Sequence, residues 1–243
     1  MIAWTHLRAI CLVLLFVPIV HLVYLVSQDT LASLNASPEA WADEMAAYQR
    51  QDEGTPLPNG PVEIIGGHRV KLWEGLDNVL APQPVLMRGL GNATVDDILY
   101  YYPRLVGYYR PQTLVFLPGD SEFHIRDAKA ADELFNGIRQ LAETDQKLRP
   151  EGHFYVFAPL QTPLHPEDRA KVAETTRLLS DWAADQPGVS ILDANPLLSA
   201  VDGKPDPTYF RFDGVNLNEH GYLRLSMLLK TALEAQNPPK TGP

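Results

Sequence analysis

Three short glycine-bearing stretches of this sequence carry side chains that move protons or attack esters. Gly66-Gly-His68 offers an imidazole, Gly119-Asp-Ser-Glu122 a hydroxyl between carboxylates, and Arg211-Phe-Asp-Gly-Val-Asn216 a carboxylate three positions before an amide. Hydroxyl, imidazole and carboxylate are the parts of a nucleophile, a general base and its orienting acid. In one workable arrangement His68 takes the proton of Ser121, while Asp213 or Glu122 orients the imidazole. Such triads are defined by geometry rather than chain order. Asn216 stands outside that chemistry, because an amide cannot accept a proton near neutral pH. His68, Glu122 and Asp213 are also metal-ligating types, but their spacing matches no diagnostic metal pattern. No metal and no cofactor is expected. His124 belongs at the rim of the cleft in a neutral hydrogen-bonding role, His220 at the surface or capping the last helix, and His153 and His165 in structural or surface roles.

The elements that position these groups alternate. Short apolar runs at Val62–Ile65, Pro84–Met87, Thr113–Leu117, His153–Ala158 and Val189–Leu192 read as strands. Between them, helical patterns cover Val70–Val79, Thr94–Tyr109, Asp127–Lys147 and Pro166–Ala184, and Asn218–Ala235 closes the chain. Pro103 is placed to kink or split its helix. Tyr100, Tyr101, Tyr102, Tyr108 and Tyr109 crowd that same region, and at helical spacing some of them must pack on the sheet. This alternation predicts an α/β fold, a flavodoxin-like three-layer α/β/α sandwich around a five-stranded parallel sheet. Ligands of such sheets bind at the carboxyl ends of the strands, which here are the turns carrying His68, Gly91 and Ser121.

The chain has 243 residues and a formal net charge of −10, which argues against nucleic acid or an anionic lipid surface as the main partner. Residues 9–27 are apolar enough to read as a transmembrane signal anchor, with Arg8 before the run and Asp29 after it. A cleaved signal peptide is the rival reading. Residues 1–8 would then be cytoplasmic, 28–60 a helical and proline-rich linker, 61–236 the folded domain and 237–243 a tail. Ser37-Pro-Glu starts a short capped helix in that linker, and Trp41, Met45 and Tyr48 share one face of it, suited to lie against the domain or a membrane surface. The only cysteine, Cys11, lies in the apolar run, so the domain has neither disulfides nor a thiol nucleophile.

Four blocks in order resemble those of the SGNH (GDSL) hydrolases. They are Pro61-Val-Glu-Ile-Ile-Gly-Gly-His-Arg-Val-Lys-Leu-Trp73, Val85-Leu-Met-Arg-Gly-Leu-Gly91, Arg110-Pro-Gln-Thr-Leu-Val-Phe-Leu-Pro-Gly-Asp-Ser-Glu122, and Asp213-Gly-Val-Asn-Leu-Asn218. The resemblance implies that His68 stands at the position of the nucleophilic serine and Asn216 at that of the general base. It implies that Gly91 retains the oxyanion glycine and Asp213 the triad acid, while Ser121 and Glu122 replace the oxyanion asparagine and its neighbouring aspartate. Gly119-Asp-Ser121 spells the family's signature tripeptide, but after the third strand instead of the first. The expectation is a membrane-anchored, periplasm-facing protein of the bacterial inner membrane with this fold but without its ester hydrolysis. Its old cleft would bind a small ester, a glycan or an envelope protein. The alternative is an ester hydrolase or acyltransferase working through Ser121, His68 and Asp213.

Overall fold

The computed structural model describes residues 14–24, 37–124 and 128–236. It divides into two units, residues 1–36 and 37–243. In the first unit, residues 14–24 are helical and exposed. The rest of the apolar run, residues 1–8 and the tail at 237–243 lie outside the described residues. Among those described, no helix is long and apolar enough to cross a membrane.

In the second unit, the sheet consists of β1 (Val62–Gly66), β2 (Val85–Gly89), β3 (Thr113–Leu117), β4 (His153–Phe157) and β5 (Val189–Leu192). All pairings are parallel, in the order β2-β1-β3-β4-β5. Period-two alternation along each strand sends side chains to opposite faces. Ile65, Leu114, Phe116, Phe154 and Val156 join one apolar cluster; Ile64, Val115, Leu117, Tyr155 and Phe157 join the other. Both faces are therefore dry, as the near-continuous apolar strands require.

The first cluster is covered by α1 (Ala42–Gly54), α4 (Val95–Leu105), α5 (Ala131–Leu148) and α6 (Arg169–Ala183). The second is covered by α2 (His68–Lys71), α3 (Leu76–Leu80) and α7 (Glu219–Gln236). The three-layer sandwich and its strands thus match the sequence reading, with differences confined to ends and breaks. The helix expected over Val70–Val79 is broken in two before Gly75, which takes a left-handed φ of 76° that favours glycine. Pro103 sits inside α4 without splitting it. Of the tyrosines crowded there, Tyr101 and Tyr102 are core residues and Tyr100 and Tyr108 are exposed.

A 3-10 turn at Pro38–Trp41 precedes α1. Ser37 does not cap it; its hydroxyl bonds the Glu39 carboxylate. Trp41 and Met45 are buried in the first cluster and Tyr48 packs against it. The apolar face of α1 therefore lies on the domain, and the linker expected over 28–60 contains a core helix.

Candidate functional site

The strand order reverses between β1 and β3, and the crevice at their carboxyl ends is the usual ligand site of such sheets. Three turns meet there. A Cβ at Gly67 would lie 2.9 Å from the Ala93 carbonyl oxygen and 3.3 Å from that of Gly91. One at Gly119 would lie 3.0 Å from the Ser121 Oγ and 3.8 Å from the same Ala93 oxygen. Beneath them, Arg69 is almost fully buried. Its guanidinium donates to the Pro118 carbonyl at 3.2 Å and the Val215 carbonyl at 3.4 Å, and lies 3.9 Å from the Asp120 carboxylate. One side chain thus ties the ends of β1 and β3 to the loop carrying Asp213 and Asn216. Its importance was not read from the sequence, although it immediately follows His68.

Of the predicted site residues, His68, Gly91, Ser121, Asp213 and Asn216 stand on the turns that meet here, and none makes the hydrogen bond that a Ser121–His68–Asp213 relay needs. Ser121 is buried on a 3-10 turn (Asp120–Glu122), and its hydroxyl donates to the Ala93 carbonyl at 3.2 Å. His68 opens α2, exposed, and its imidazole makes no hydrogen bond among the described residues. Partial burial, then the cations of Lys71 and Arg211, hold its pKa below the ordinary histidine value.

Asp213 accepts from the backbone N–H groups of Val215 (2.9 Å) and Asn216 (2.8 Å) and from the Asn216 side-chain amide (2.8 Å). Partial desolvation is the largest single influence on its carboxyl and pushes the pKa up. The Asn216 amide, the two N–H groups and Arg211 together outweigh it and keep Asp213 ionised. Asp213 and Asn216 hold the geometry of an acid–base pair, with an amide where proton transfer would need an imidazole.

Glu122 does not line the cleft. Only 1% exposed, it accepts the Val95 N–H at 2.7 Å at the start of α4 and pairs with Lys129 at 3.1 Å. Burial pushes its pKa up to about 7 against the pull of Lys129. A carboxylate there satisfies an orphan donor and meets the positive end of the helix dipole, a structural task. The metal set weighed from His68, Glu122 and Asp213 is broken by that burial. His124 turns to His165, stacking on it with ring centroids 3.7 Å apart, and to the Asp168 carboxylate.

Gly91 brings the largest surprise. Its N–H, which the resemblance assigns to an oxyanion, donates at 3.0 Å to Oε2 of Glu44 on α1. The same oxygen lies 3.0 Å from the Lys71 ammonium. Trp41 covers the glycine from above: a Cβ on Gly91 would stand 2.2 Å from the indole ring. The N–H that the resemblance assigns to an oxyanion is thus already bonded to a carboxylate of the same chain.

No family model matches this sequence, and no curated protein is significantly similar to it. Solved structures are. A GDSL-like lipase from Bacteroides thetaiotaomicron superposes with a TM-score of 0.66 at 18% identity, over 79% of this chain and 98% of that one. A lipase/acylhydrolase from Enterococcus faecalis gives 0.60 at 12% identity, covering 74% and 100%. A carbohydrate esterase family 3 structure from Talaromyces cellulolyticus gives 0.57 at 15%, covering 72% and 97%. Five parallel strands in this order, a crevice formed by these turns and that likeness together identify the fold of this chain as that of the SGNH (GDSL) hydrolases.

Proposed function

We propose that this is a membrane-anchored SGNH-hydrolase-like protein that binds through its cleft instead of hydrolysing esters there. The observation that carries the reading is the pairing of the site residues. The Ser121 hydroxyl is bonded to a backbone carbonyl, and Asp213 is bonded to an amide. No hydroxyl–imidazole hydrogen bond joins Ser121 to His68 among the described residues. Loss of either nucleophile or base costs such enzymes several orders of magnitude in rate. What remains of the machinery recognises an anion: the Gly91 N–H and Lys71 already grip the Glu44 carboxylate. A small ester, a glycan acid or an acidic loop of an envelope protein would compete for those donors. The apolar run at 9–27, with Arg8 before it and Asp29 after it, supports a bacterial inner-membrane anchor with the domain in the periplasm.

Labelling of the full chain with a fluorophosphonate, followed by peptide mapping, tests the reading. No adduct on Ser121 is expected, and no ester turnover until His68→Ser, Ser121→Asn and Asn216→His are introduced together. A stoichiometric adduct on Ser121, with turnover abolished by Ser121→Ala, would replace this reading with the Ser121–His68–Asp213 hydrolase. The named activities of the structural neighbours favour that second reading.

A further inference from the structure

Beyond the inherited crevice, two loops at the carboxyl ends of β3 and β4 bring together a donor set that the cleft chemistry does not use. His124 follows the turn that carries Ser121. His165, Glu167 and Asp168 lie in the approach to α6, Glu167 and Asp168 on a 3-10 turn at Pro166–Asp168. One donor atom from each of the four lies within 4.8 Å of all the others. Nε2 of His124 meets Oδ2 of Asp168, and Nδ1 of His165 lies 3.1 Å from Oε1 of Glu167. The two imidazoles stack at 3.7 Å with 22° between their planes.

We propose that His124, His165, Glu167 and Asp168 form a binding site for a divalent transition-metal ion, zinc in the first instance. Two imidazoles and two carboxylates are a borderline donor set suited to zinc and unlike the all-oxygen shells of calcium or magnesium. Asp168 is 5% exposed, and a buried carboxylate needs a cation or full hydrogen bonding. Its partners supply this only in part. Oδ2 is shared with His124, and Oδ1 lies 3.2 Å from the Lys171 ammonium but has no hydrogen bond of good geometry among the described residues. Lys171 competes with an ion for Asp168 and holds the oxygen that His124 does not touch. Outside the ligands, Asp120 Oδ2 lies 3.8 Å from His165 Nε2 and its Oδ1 lies 3.9 Å from Arg69. That carboxylate lies between a ligand imidazole and the buried arginine under the cleft. An ion there would pin together two loops 41 residues apart, at the rim where a cleft ligand enters.

The test is zinc binding to the full chain, purified without a histidine tag and stripped by chelator, measured by competition with a chromophoric chelator. One zinc per chain is expected, with a rise in Tm on binding and visible bands from Co(II) in a low-symmetry four-coordinate site. His124→Ala with His165→Ala should weaken binding on the order of 100-fold or more. Glu167→Ala, an exposed change that leaves the fold intact, should weaken it less. His220→Ala should leave it unchanged. No stoichiometric zinc in the native chain overturns the proposal, as does zinc that survives the double variant or is lost equally from His220→Ala.

Discussion

The two ends of the sheet hold polar groups in opposite ways. At the carboxyl end the functional groups are attached one by one, with no shared network: Asp213 to its own loop, Ser121 to a carbonyl, Gly91 to Glu44. At the amino end the ions are buried and joined into long-range networks. Arg149 grips Asp145 with two bonds of 2.8 and 2.7 Å, and Tyr102 adds its hydroxyl to the same carboxylate. A second network runs along β2 from Arg88, one residue from that strand's carboxyl end, which reaches Asp52 on α1 at 2.6 Å, lies against the rings of Tyr48 and Tyr109, and donates to the Tyr109 hydroxyl at 3.0 Å. Glu63 on β1, fully buried, lies in the fields of both arginines with no hydrogen bond to its own carboxyl among the described residues. The amino end is where electrostatics holds the domain together.

The sharpest way to break this contrast is at the amino end. Asp145→Ala strands the Arg149 cation and the Tyr102 hydroxyl in the interior. Urea unfolding should show a loss of about 3–5 kcal/mol; an effect below about 1 kcal/mol would deny the networks their structural role. Glu63 is the opposite case, a buried acid that both neighbouring arginines can do without. Desolvation raises its pKa well above the ordinary glutamate value, with Arg88 and Arg149 only partly offsetting this. A raised folded-state pKa contributes stability that is fully present below the unfolded value and lost as pH rises. Glu63→Met should therefore stabilise the domain by about 1–4 kcal/mol at pH 7 to 8, and the gain should shrink toward pH 4.5.

Glu122 carries the same sign in a narrower window. Its contribution should be intact below about pH 4.5 and fade as the pH passes about 7. Glu122→Gln keeps an acceptor for the Val95 N–H, so it should flatten this slope by about 1–3 kcal/mol in pH-dependent melting curves. The smallest effect belongs to the carboxyl end. Glu44 and Lys71 are partly exposed, so Glu44→Ala should cost no more than about 1 kcal/mol. It should nevertheless raise the affinity of the cleft for small carboxylates, read by calorimetry, because the Gly91 N–H is released. Unchanged affinity would mean that Glu44 is packing and not an internal ligand.

Much of this was legible from the sequence because the signals were local. Thr113–Leu117 and Val189–Leu192 are strands with the bounds their apolar runs suggested, and the turns carrying His68, Gly91 and Ser121 meet as the alternating pattern required. What escaped was long-range. Glu44 precedes Gly91 by 47 residues in a segment that reads as linker, and nothing in its neighbours announces a bond to that N–H. Glu122 was placed in the cleft because it follows Ser121, but a 3-10 turn sends it inward to the start of α4. His124, expected at the rim, has in His165 a partner that its neighbours in sequence do not announce. His165 read as structural or surface, with no pairing to His124 or Asp120, because both are more than 40 positions away.

The contact between Trp41 and Gly91 has a mechanical corollary. Whatever precedes Ser37 joins the domain through Pro38–Trp41, and after the outlying contacts of Glu39 and Ala40 the side chains that grip the body of the fold include Trp41 and Glu44, both at the mouth of the crevice. Tension on the chain from its amino-terminal side is therefore borne early by the residues that stopper the cleft. A pull that peels away this one turn would unplug the crevice while the sheet and its buried arginines stay in place.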